Sequence, residues 1–110
     1  MRKEKILIIS TIGPNDPERA TLPFVLANAL QTVDVEVVMV LQSSAVILAH
    51  KGEAEKVIAK GLMPVHELID NFMDEGGKMY LCSPCIKERN IPVDELIEGF
   101  DIVAAGTLPH

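Results

Sequence analysis

"DVEVVMVLQ", residues 34–42, decides the fold. From Val37 to Leu41 the stretch is unbroken apolar sequence, rich in β-branched side chains. A strand with one wet face alternates apolar and polar residues. A run without alternation reads as a strand covered on both faces, the habit of parallel sheets. Three further segments share this character: "KILIIST" (5–11), the shorter "KMYLC" (78–82) behind the turn signal Gly76-Gly77, and the weaker "DIVAAGT" (101–107).

The segments between these strands carry helical patterns. "DPERATLPFVLANALQT" opens with Asp16 as a candidate N-cap and Pro17 at the first helical position. Pro23 predicts a kink or a restart of that helix. Phe24 to Leu30 is apolar nearly all round, which predicts burial on more than one side. "GEAEKVIAKG" places Ala54, Val57, Ile58 and Gly61 on one helical face. "PVHELIDNFMDEGG" is clearer, with Val65, Leu68, Ile69, Phe72 and Met73 at helical spacing, Pro64 opening it and Gly76 closing it. "VDELIEG" predicts a final turn or two of helix. Strands alternating with helices define an α/β domain with a mostly parallel sheet, and 110 residues suit a single domain, 1–110.

Composition excludes several roles. Ten Lys and Arg stand against sixteen Asp and Glu, a formal net charge of −6. With no basic stripe to neutralise phosphates, nucleic-acid binding is not expected, and the same acidity argues against an anionic membrane surface. Three Phe, one Tyr and no Trp imply an aliphatic core. The apolar run in "MRKEKILIIS", Ile6 to Ile9, is too short for a signal-peptide core or a membrane span. Two closely spaced cysteines make no disulfide framework, so a cytoplasmic, reducing location is expected.

Ligands of open parallel sheets gather at the carboxyl ends of the strands, near the point where strand order reverses. Those ends are Ser10 and Thr11, Gln42 to Ser44, Cys82, and Thr107. Both cysteines lie in "KMYLCSPCIKERN" (78–90), where a strand feeds a helix-forming run. A thiol at a helix N-terminus meets unpaired N–H groups that favour its anion, which predicts a depressed pKa for Cys82 and faster alkylation than Cys85. The competing reading makes both cysteines small core residues. Zinc needs three or four protein ligands; His50, His66 and His110 have no motif spacing to the two cysteines, so no metal is expected. His66 falls on the polar side of its helix, and His50 is a weak candidate for the site. The loop "TIGPNDPER" (11–19) lacks the G-x-G-x-x-G pattern, and Asn15 and Asp16 read first as turn and cap residues. There is no P-loop, and no Ser-His-Asp triad can be assembled from the spacing.

The chain resembles the DsrE/DsrF-like family over nearly its whole length. The resemblance rests on "DPERATLPFVLANAL", "DVEVVMVLQSSAVIL", "GLMPVHELIDNFMDEGGKMYLCSPCIKERNI" and "DELIEGFDIVAAGTL", in that order and spacing. It implies a three-layer α/β/α, flavodoxin-like fold with a mostly parallel sheet of four to five strands. It also implies homo-oligomers, trimers or hexamers, and a part in sulfur relay between donor and acceptor proteins without an organic cofactor. The family carries sulfur as a persulfide on a cysteine at the end of the strand before an Arg-containing helix. Cys82 matches that position, and Arg89 stands where the family often has Arg. Asn90 replaces a common Gly, a tolerable change because Asn also accepts a left-handed backbone. Cys85 is a departure, since the best-known carriers do not all have a second cysteine.

The candidate site is therefore Cys82 and Cys85 as reacting groups, lined by Thr11, Asn15, Gln42, Ser43 and Arg89. The leading function is a sulfur carrier or sulfurtransferase-like protein using a persulfide on Cys82. Cys85 then resolves the persulfide or supports the turn. A dithiol redox module cycling Cys82 and Cys85 is the runner-up. The third reading is a non-catalytic binding subunit with structural cysteines. Homo-oligomerisation is expected separately from "LPFVLANAL" and "SSAVILA", which carry more apolar residues than one face of a small sheet can bury. "SSAVILAHKG" is then expected at or near a subunit contact.

Overall fold

A computed structural model describes residues 4–104. Four strands, β1 (Lys5–Ser10), β2 (Glu36–Leu41), β3 (Lys78–Cys82) and β4 (Phe100–Val103), form one sheet in the order β1-β2-β3-β4. Every neighbouring pair is parallel. The α/β class with a parallel sheet is thus what the chain adopts. β2 lies inside the sheet, and its residues Val37 to Leu41 are all buried, the reason its sequence shows no alternation. β1 is an edge strand and does alternate, exposing Leu7 and Ile9 although both are apolar.

The order has no reversal. Successive right-handed crossovers that all step the same way place their helices on the same side. Accordingly, α1 (Pro17–Thr32), α2 (Val65–Asp74) and α3 (Ser83–Glu88) send Phe24, Phe72 and Ile86 into a single cluster with Val37, Met39, Leu41, Met79 and Leu81. Among the described residues this is one helical layer on the sheet. The crevice that a change of strand direction would open is not formed by these four strands.

α1 begins as its sequence requires: the Asp16 carboxylate accepts the Arg19 N–H, and Pro17 opens the helix. It does not break at Pro23. The helix runs through to Thr32, because one lost hydrogen bond is offset by burial of Ala20, Phe24 and Ala27 on both sides of the proline. Polar side chains then fasten it to α2: Asn28 Nδ2 donates to the Leu68 carbonyl at 3.1 Å, and Gln31 Nε2 to that of Phe72 at 2.9 Å.

Two helical expectations need correction. "GEAEKVIAKG" forms only a 3-10 turn, Ala54–Lys56; Val57 is buried while Ile58 is 62% exposed, so they share no apolar face. The Gly residues at both ends and the shortness of the run leave too few bonds to sustain a helix. "VDELIEG" likewise yields a 3-10 turn, Val93–Glu95, with Leu96 buried beyond it. "SSAVILA" is also 3-10, Ser43–Ala49, and sends Ala45, Val46, Leu48 and Ala49 into the core of its own chain. The strand expected over 101–107 is seen to Val103; Thr107 and His110 lie outside the described residues.

The packing has little slack where α2 turns into β3. A Cβ at Gly77 would overlap the ring of Phe72, which is fully buried. Gly77→Ala is expected to lower unfolding free energy by about 1–3 kcal/mol in urea denaturation; an unchanged midpoint would contradict this packing.

Candidate functional site

Parallel strands deliver their carboxyl ends to one edge. Ser10 is in register with Leu41, and Leu41 with Leu81, so Thr11, Gln42, Ser43 and Cys82 follow or end adjacent strands there. The junction after β2 is the organising point. Gln42 continues the ladder, its N–H donating to the Ser10 carbonyl at 2.9 Å. Ser43 then takes a left-handed conformation, φ 53°, rare for a residue with a side chain. Its N–H donates to the Cys85 sulfur at 3.2 Å.

Ser44 joins the opposite side of the edge. Its hydroxyl accepts the Gly13 N–H at 3.0 Å and faces the Thr11 carbonyl and Asn15 Oδ1 at 3.4 and 3.3 Å. This close approach needs a glycine, since a Cβ at position 13 would fall on the Ser44 carbonyl. Asn15 is therefore more than a turn residue: it sits at this junction with Thr11. Sequence reasoning placed Ser44 at the strand end but left it out of the site. A buried glycine facing a serine across thirty residues has no signal in one sequence.

The two cysteines differ in surroundings. Both are free thiols. Cys82 closes β3 and is 7% exposed, whereas Cys85 is half-buried within α3. The Arg89 guanidinium donates to the Cys85 carbonyl at 3.2 Å, so the residue is held at its backbone by Arg89 and at its sulfur by Ser43. Asn90 follows at φ 54°, the left-handed position expected for it.

The expected depression of the Cys82 thiol is overturned. Burial pushes its pKa up, and the neighbouring Cys85 thiol adds to the rise. The Cys85 N–H at the start of α3 pulls the other way, favouring the anion, but by less than burial.

The two described histidines, His50 and His66, lie elsewhere. His50 Nε2 meets Glu95 Oε1 at 2.8 Å, which anchors the segment before β4. His66 is half-buried rather than solvated, with Nδ1 enclosed, and lines a cleft of about 430 Å³ with Glu55, Asp70 and Glu98. Among the described residues no group of three or more His, Cys, Asp or Glu could hold a metal ion. Nor is any described helix long and apolar enough to cross a membrane.

A parallel α/β domain with a thiol pair at the carboxyl edge of its sheet is the class these features define. The chain belongs to the DsrE/DsrF-like family, whose model matches residues 4–110. An uncharacterized protein of Methanocaldococcus jannaschii is 28% identical over 104 residues, covering 94% of this chain and 38% of that protein. The chain thus spans well under half the length of that relative. A second uncharacterized protein of the same organism is 30% identical over 97 residues, covering 86% of this chain and 80% of its own. Among solved structures, the ychN protein from E. coli superposes with a TM-score of 0.77 at 20% identity, covering 94% of this chain and 86% of that one. A protein of unknown function from Methanobacterium thermoautotrophicum gives 0.70 at 17% identity, covering 93% and 82%. These structures establish likeness of fold.

The raised Cys82 thiol has a consequence for stability. Burial favours its neutral form, so the folded chain keeps this proton at pH values where the unfolded chain has released it. The contribution is present below the unfolded thiol pKa of about 8.5 and is lost as pH rises toward and through the raised folded value. In urea melts from neutral to alkaline pH, Cys82→Ala is expected to flatten the decline seen in the wild type. Parallel declines would contradict a buried, neutral Cys82.

Proposed function

We propose that this protein is a sulfur carrier that holds sulfane sulfur as a persulfide on Cys82, received from a donor protein and relayed to an acceptor protein. The observation that carries the reading is the paired, free thiols at the carboxyl edge of the sheet, one buried and one accessible. A persulfide has to be exposed long enough to transfer and sheltered long enough to survive. A buried Cys82 beside a half-buried Cys85 meets both needs. The family and the match of Cys82 to its strand-end cysteine support the same chemistry. Thr11, Asn15, Gln42, Ser43 and Arg89 frame the site, and the proposed chemistry uses no organic cofactor or metal.

A dithiol module is the second reading, favoured by the adjacency of two free thiols in a C-x-x-C turn. Intact mass after treatment with a persulfide donor separates the two. The carrier gains one sulfur atom per chain, and Cys82→Ser fails to retain it. Loss of two hydrogens under mild oxidation, with no sulfur gained, would favour the dithiol module instead.

The proposal extends to assembly as a homo-oligomer, a trimer or a hexamer of two trimers. Leu22 and Leu26 on α1 and Val33 just beyond its end leave apolar side chains in solvent, 46%, 52% and 68% exposed. Covering these side chains with another copy contributes roughly 25 cal/mol per Å² before association costs. "LPFVLANAL" thus supplies apolar surface, whereas most of "SSAVILA" is consumed inside its own chain. Sedimentation equilibrium is expected to give a multiple of the 12.0 kDa chain mass; a single species at that mass at micromolar concentration would contradict assembly.

A further inference from the structure

The thiol that stores the sulfur and the thiol that first meets it need not be the same. We propose that Cys85 is the first acceptor, that the Ser43 amide positions its sulfur, and that Cys85 hands the sulfur to the buried Cys82. The inference rests on the sulfur-carrier reading and assigns to its two cysteines and to Ser43 roles that family position alone does not.

Three observations carry it. Cys85 is the accessible member of the pair, whereas Cys82 is 7% exposed at the end of β3. Ser43 N–H reaches Cys85 Sγ at 3.2 Å, which fixes where that sulfur points. That amide is aimed by a left-handed backbone, φ 53°, at a residue with a side chain, a conformation that persists only where its surroundings enforce it. The Gln42 N–H before it and the Ser44 hydroxyl after it supply that enforcement, through Ser10 and Gly13. Arg89 holds the Cys85 carbonyl at 3.2 Å. The raised Cys82 thiol agrees with this order, since a thiol kept neutral is the slower of two nucleophiles.

The chemistry balances without an external oxidant or reductant. In the first step the Cys85 thiolate attacks the outer sulfur of a donor persulfide, R–S–SH. The donor's S–S bond breaks, the new bond forms on Cys85, and R–S⁻ leaves. In the second step the Cys82 thiol gives up its proton and attacks the outer sulfur of Cys85–S–SH. The S–S bond moves to Cys82, and the proton ends on Cys85. The sulfur then sits on the sheltered thiol, and Cys85 is free again. Ser43 is a positioning residue in this scheme, and Cys85 a catalytic one.

Two measurements test it, with glutathione persulfide as the sulfur donor and iodoacetamide as the thiol probe. Iodoacetamide at neutral pH, read by peptide mass, is expected to label Cys85 about tenfold or more faster than Cys82. Initial sulfur uptake is expected to fall about tenfold or more in Cys85→Ser, while Cys82→Ser takes sulfur on Cys85 but yields it rapidly to cyanide. Ser43→Gly keeps both the amide and the left-handed backbone, and is expected to label at Cys85 at the wild-type rate. Ser43→Val, whose branched side chain resists φ above zero, is expected to slow that labelling, so that the glycine variant rescues what the valine variant loses. Uptake by Cys85→Ser at the wild-type rate, or labelling of Cys82 first, would overturn the assignment, as would a Ser43→Val labelling rate equal to the wild type. A wild-type chain that labels first at Cys85 yet takes up no sulfur would overturn the carrier reading instead.

Discussion

The left-handed turn at Ser43 is the constraint on which the site depends. A residue with a side chain at φ 53° gives up about 1–3 kcal/mol of backbone preference, so its neighbours must repay it. They do so in both directions along the chain. Upstream, Gln42 stays in the β2 ladder through Ser10. Downstream, Ser44 receives Gly13 and faces Thr11 and Asn15. The turn thereby ties the loop after β1 and the start of the 3-10 segment into one junction, and turns an amide toward Cys85 in α3. Three separate crossover connections meet there only because every strand points the same way.

That geometry makes the two cysteines unequal although only two residues separate them. Cys82 ends a strand and inherits the dryness of the sheet. Cys85 stands in the first turn of α3, half-buried, and its sulfur accepts the Ser43 amide. A carrier of a labile group benefits from this asymmetry, because access and storage are then properties of different atoms. Among the described residues the strand order does not reverse, so the three connections leave the same edge of the sheet in succession.

Much of the framework was legible in the sequence, for physical reasons. β3 over 78–82 is bounded by Gly76-Gly77 and by Pro84, and its limits are those read from the residues. Asp16 and Pro17 announce α1, and the spacing of Val65, Leu68, Ile69 and Phe72 announces α2. What was not legible depends on tertiary context. Pro23 breaks isolated helices, but here core contacts on both sides hold the helix together. Val57 and Ile58 look equivalent, and only the fold decides that one is buried. The depressed Cys82 thiol was inferred from helix position, which says nothing about desolvation. Ser44 and Gly13 matter because they touch, and their sequence separation hides it.

The central claim is that the Ser43 amide and the Cys85 sulfur form one functional unit at the edge of the sheet. The Ser43 amide resonance in ¹H–¹⁵N spectra, followed through a pH titration, reports on that contact directly. The account predicts a large shift of this resonance as the thiol ionises, abolished in Cys85→Ala and retained in Cys82→Ala. A Ser43 amide indifferent to pH, or one that still titrates in Cys85→Ala, would contradict it.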